Sequence, residues 1–132
     1  MLKLILIFLG AGIGGLLRYG VGGIVQSAAG TTFPVGTMIV NLSGCLAIGF
    51  LAAALDGPWL VREEVRLGIL IGVLGGYTTF SSFGRETLAL ANDGQYVAAA
   101  ANVLLSNLLC LAAVWAGWAS AARLFGNGGG GA

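Results

Sequence analysis

The chain has 132 residues, 58% of them hydrophobic and only 8% charged, with a net charge of +1. A soluble domain is about one quarter charged, so this composition excludes an ordinary soluble fold and describes a membrane protein. No basic patch for nucleic acid stands out, and the lack of histidine removes the commonest metal ligand and general base, which argues against catalysis.

Four apolar segments, each about 20 residues or longer, predict transmembrane helices at residues 2–25, 35–55, 65–91 and 96–124. The first opens "MLKLILIFLGAGIGG", a lysine followed by an apolar run, as in a signal peptide. No A-x-A cleavage pattern follows and further apolar segments do, so it reads as a first span. Within it Gly10, Gly14, Arg18 and Gly22 recur every fourth residue, along one stripe. Small residues at that spacing let helix backbones approach closely in lipid. Arg18 either snorkels to a headgroup or faces an aqueous vestibule.

After the turn "AAGTTFP", the second span aligns Thr37, Asn41 and Cys45 on one face, with Ser43 and Gly44 beside them. It stops at Asp56-Gly57-Pro58, since proline cannot continue a helix. The fourth span, after "NDGQ", aligns Asn102, Ser106 and Cys110, flanked by Asn107. Single hydroxyls read as glue between helices. The carboxamides of Asn41 and Asn102 need partners for every donor and acceptor, because they are costly in hydrocarbon. Cys45 and Cys110 lie in apolar runs and read as small buried hydrophobes rather than a disulfide or metal pair. Residues 1–125 form one four-helix domain, and "GNGGGGA" at 126–132 reads as a disordered tail.

The third segment holds the exception, "GGYTTFSSFGRE", beginning at Gly75. An unbroken helix over 64–91 would be about 42 Å long against a hydrocarbon core of roughly 30 Å, an excess that tilt absorbs. Composition is more telling, because the stretch is rich in poor helix formers near mid-span. Non-helical backbone at that depth survives only where protein or a water-filled cavity satisfies it. Broken helices expose carbonyl and N–H groups that transporters use to hold ions. The stretch is a packing kink or an ion-handling element, and the second reading is preferred.

Charges give a weak topological bias. Lys3, Arg62, Arg66 and Arg123 fall on one side; Arg18 and Arg85 are the most the other can hold. Such a bias suits insertion in either orientation.

These residues resemble the small bacterial fluoride channels of the Fluc or CrcB family. "GGYTTFSSF" is close to the family's G-G-x-[ST]-T-F-S-[ST]-F signature, "GTMIVNLSGC" resembles its second-helix G-T-x-x-V-N motif, "GGLLRYG" its first-helix arginine and "NVLLS" its fourth helix. The resemblance implies an all-α membrane protein of four helices, broken in the third and assembled as an antiparallel, dual-topology homodimer in the bacterial plasma (inner) membrane. It implies two fluoride pores at the dimer interface, lined by Phe80, Phe83, Asn41 and Ser106, with Thr37, Ser81 and Glu86 near the pathway and Arg18 in a vestibule. It also implies a structural sodium ion held by the backbone carbonyls of Gly75 and Thr78. Gly84 stands where many members carry serine, and Asn102 and Cys110 occupy variable positions. Ring edges carry partial positive charge, and neutral amide and hydroxyl donors hold an anion without trapping it.

Two other readings compete. A proton-coupled exporter of dual topology needs an acidic residue deep in the membrane, and the chain offers only Glu86, past the break and next to Arg85. A non-transporting assembly subunit would use its polar stripes only as glue.

Overall fold

The computed structural model describes residues 1–126; the predicted glycine-rich tail from residue 127 onward lies outside the described residues. Helix α1 (Leu2–Ala29) runs four residues further than expected. It ends at Gly30, whose left-handed backbone (φ 59°, ψ 30°) returns its N–H to the Gln26 carbonyl. The Gln26 side chain then stitches the turn, donating to the Thr31 and Phe33 carbonyls (2.7 and 3.1 Å) and accepting from Gly36 N–H (2.9 Å). Helix α2 (Val35–Asp56) stops at the predicted Asp-Gly-Pro. The connection that follows, residues 57–62, is tied across by an Arg66–Asp56 ion pair of 2.6 Å.

The third span covers Glu63–Asn92 in four pieces: α3 (Glu63–Leu67), a π-helical segment (Gly68–Leu74), α4 (Gly75–Tyr77) and α5 (Phe80–Asn92). The predicted break is real but narrower than the composition suggested. Only Thr78 and Thr79 leave the helix; glycines on one side and serines on the other stay helical because tertiary contacts override weak propensity. The π turn was not anticipated. A final helix, α6 (Tyr96–Phe125), follows a turn in which Gly94 takes φ 76°.

All described residues are helix or connection, and four helices are long and apolar enough to cross a membrane. Gly10 and Gly14 of the α1 stripe pack on the first half of the third span, while Gly22 meets Val40 of α2. A Cβ on Gly14 would strike the Val73 carbonyl and lie 2.7 Å from Tyr77 N. The second and fourth spans pair similarly: a Cβ on Gly49 would strike the Val114 carbonyl. At one end of that pair Phe50, Trp59 and Phe125 form an edge-and-tilt cluster with centroids 5.6–6.0 Å apart. Only 11–28% of the most apolar window of each span is buried in the protomer. Most of the helical surface is therefore left for lipid or another chain.

Candidate functional site

Thr78 (φ −77°, ψ 158°) and Thr79 (φ −152°, ψ 126°) are extended; Thr78 N–H still reaches the Leu74 carbonyl (3.0 Å), but the Thr79 backbone groups need partners outside the helical ladder. Asn41 supplies them. Its Nδ2 donates to the Thr79 carbonyl and its Oδ1 accepts the Thr79 N–H, both at 2.8 Å. The Thr79 hydroxyl then caps α5 by accepting from Ser82 N–H at 3.2 Å. Both exchanges release carbonyls. In a continuous helix Thr79 N–H would serve Gly75, and Ser82 N–H would serve Thr78. The end of α4 leaves four carbonyls, Gly75 to Thr78, without their helical donors, and the two implied as sodium ligands are among them. They are neutral oxygens of the kind that half-helix ends offer to Na⁺, so the residues fit a cation. Arg18 also approaches, with Nη1 3.4 Å from the Thr78 carbonyl.

The break separates two cavities, and Thr79 borders both. The larger, about 500 Å³, is lined by Asn41, Gly75, Thr78, Phe80, Phe83 and Ser106 among others. The smaller, about 390 Å³, is lined by Arg18, Tyr19, Thr37 and Ser82 among others. Of the polar α2 face predicted as one track, Asn41 borders the first cavity and Thr37 the second. Ser81 is exposed and lines neither, its hydroxyl lying 3.3 Å from that of Thr79. Half-buried Arg18 lies against the smaller cavity. Phe80 and Phe83 meet with centroids 5.2 Å apart and planes tilted by 46°, yet Phe80 is 78% exposed and Phe83 only 8%.

Hydroxyl protons are largely committed. Thr37 donates to Glu86 Oε1 at 2.7 Å, while Glu86 Oε2 is buried without a partner. Ser106 donates to Asn102 Oδ1 (3.2 Å), Asn102 Nδ2 to Thr87 Oγ1 (2.9 Å), and Thr87 to the Phe83 carbonyl (2.7 Å). Asn102, 1% exposed, therefore finds partners for both ends of its carboxamide and ties α6 to α5 beneath Phe83. Sequence reasoning missed Thr79 and Thr87 as structural centres. Thr79 was detectable as a cap followed three residues later by Ser82; Thr87 carried no signal, since Asn102, the donor it accepts from, lies on another helix. Cys45 and Cys110 are unbridged, in line with expectation, but only half-buried, and both line the larger cavity.

Known proteins resemble this sequence across nearly the whole chain. The profile of the family described as CrcB-like protein, Camphor Resistance (CrcB), matches residues 5–118. The "Fluoride-specific ion channel FluC" of Paramagnetospirillum magneticum (strain ATCC 700264 / AMB-1) is 46% identical over 123 residues, 92% of this chain and 96% of that protein. The protein of the same name from Coxiella burnetii (strain Dugway 5J108-111) is 47% identical over 120 residues, 88% and 94% of the two chains. That of Geobacter metallireducens (strain ATCC 53774 / DSM 7210 / GS-15) is 43% identical over 124 residues, 94% and 100%. Four apolar spans and relatives of this kind make the chain a multi-pass, all-helical membrane protein. With the glycine-packed spans, the broken third helix and this near full-length match, the chain belongs to the CrcB family.

Proposed function

We propose that the protein is a passive, fluoride-selective channel and not an enzyme, working as an antiparallel homodimer in the bacterial plasma (inner) membrane. One observation carries the reading: the Thr79 break, latched by Asn41, sits on the wall of a cavity that also presents Phe80 and Phe83. The names of the relatives supply the ion. Ring edges and the second N–H of Asn41 offer partial positive charge without a fixed cation, so fluoride is held weakly enough to leave. Phe80, 78% exposed on one protomer yet on the wall of this cavity, would meet a second copy that completes the pore. Two carbonyls, Gly75 and Thr78, make half a shell for a structural sodium ion. A twofold partner would bring the same two. Thr37, Ser81 and Arg18 would serve the approach to the pore. The weak charge bias suits subunits inserted in opposite orientations.

The test is efflux from fluoride-loaded liposomes, read by an ion-selective electrode with a potassium ionophore balancing charge. Fluoride should leave rapidly and chloride should stay. Equal release of both ions, or of neither, overturns the assignment. Lysines added at one end, with orientation checked by labelling, test the assembly. A chain shown to sit wholly one way round yet fully active rules out the antiparallel dimer.

A further inference from the structure

Cys45 and Cys110 are the chain's two cysteines, 65 residues apart in sequence on the second and fourth spans. Those spans run in the same direction and meet closely where Gly49 lies under the Val114 carbonyl and Gly117 under the Leu46 carbonyl. Each cysteine sits one helical turn before the Gly49–Val114 contact, so the same register brings the two thiols together. Both are free, half-buried and open to the cavity of about 500 Å³ that also holds Phe80, Phe83 and Ser106.

We propose that Cys45 and Cys110 form a binding site for a soft divalent cation that accepts two ligands, of which Hg²⁺ is the simplest case. Three physical constraints select that class. Sulfur ligands prefer soft ions. Zinc and similar ions demand about four ligands, and the described residues hold no group of three or more His, Cys, Asp or Glu side chains that could supply them. A divalent ion on two thiolates is also electrically neutral, whereas a monovalent ion would leave a net negative charge at membrane depth. On binding, two S–H bonds break, two S–metal bonds form and two protons pass to water; no electron changes hands. The metal would occupy the wall of the proposed fluoride pathway and obstruct it. That consequence rests on the proposed function, but the site itself does not.

The experiment is a titration of the purified full-length protein with mercuric acetate in chloride-free buffer, following sulfur-to-metal absorption and released protons. One ion per chain and two protons per ion are expected. Cys45→Ser and Cys110→Ser should each weaken binding by about 100-fold or more. Two ions per chain, or a single variant that binds as tightly as the parent, overturns the site. The same additions to fluoride-loaded liposomes should stop efflux for the parent, and an added dithiol should restore it. Shared binding with undiminished efflux would leave the metal site standing and remove this cavity from the pathway.

Discussion

The carboxamide of Asn41 grips both backbone groups of Thr79, 38 residues away, with two hydrogen bonds of 2.8 Å. This side chain substitutes for the helical partners that Thr79 lacks, as a neighbouring strand would. Asn41 therefore holds the break open and also lines the cavity, with one N–H left uncommitted.

Replacing Asn41 tests both roles. Asn41→Leu strands the Thr79 N–H and C=O inside the protein, at a cost of about 1–3 kcal/mol for each buried unsatisfied group. Thermal denaturation should register that loss, and fluoride efflux should vanish with it. Asn41→Asp keeps an acceptor for Thr79 N–H but turns a carboxylate oxygen toward the Thr79 carbonyl and adds a negative charge that repels an anion, so efflux should disappear and stability should fall here too. An Asn41→Leu protein as stable as the parent would show that the latch is dispensable.

The two phenylalanines should separate in stability. Phe83→Ile empties part of a packed site and should lower stability by roughly 1–2 kcal/mol. Phe80→Ile touches a ring that is 78% exposed on the protomer and should leave its stability within about 0.5 kcal/mol. Both remove a positive ring edge from the cavity, and efflux should fall in both. If both isoleucine variants conduct like the parent, the rings are packing and the pathway lies elsewhere.

Ser106 should matter less than its place on the cavity suggests. Its proton goes to Asn102 Oδ1, and turning it toward an anion would leave that buried oxygen unpaired, costing about 1–3 kcal/mol. Ser106→Ala should therefore lower efflux only slightly beside Asn41→Leu. Efflux rates measured side by side decide this, and a complete loss in Ser106→Ala would mean that the hydroxyl swings to the ion.

Glycines that look alike in the sequence should differ sharply. Gly14→Ala drives a methyl into the Val73 carbonyl and forces α1 off the third span, with a cost of about 1–3 kcal/mol or more. Gly12→Ala, with nothing within 4 Å of the added carbon, should be neutral or slightly stabilising through helix propensity. Yield of folded protein and melting temperature measure the contrast; equal behaviour of the two variants would contradict the close approach.

Sodium dependence tests the freed carbonyls. Complete replacement of sodium by a large organic cation should reduce efflux and melting temperature together. Gly75→Val, β-branched beside the break, should blunt the sodium response. Unchanged efflux and melting in verified sodium-free buffer would count against the ion.

Local chemistry made much of this protein legible in the sequence. Four spans, the Asp-Gly-Pro stop and the small-residue stripe of α1 follow from apolar run length and residue spacing, because lipid leaves the backbone no alternative to helix. A break within "GGYTTFSSF" was readable from composition, but confining it to Thr78 and Thr79 required Asn41, brought in by the packing of another helix. Tertiary structure alone introduced the π turn, placed Thr37 and Asn41 beside different cavities, committed the Ser106 proton to Asn102, and put Cys45 and Cys110 on the wall of one cavity. The reason is the same in each case. An apolar run does not record the register in which it meets its neighbour, and that register decides which donor finds which acceptor.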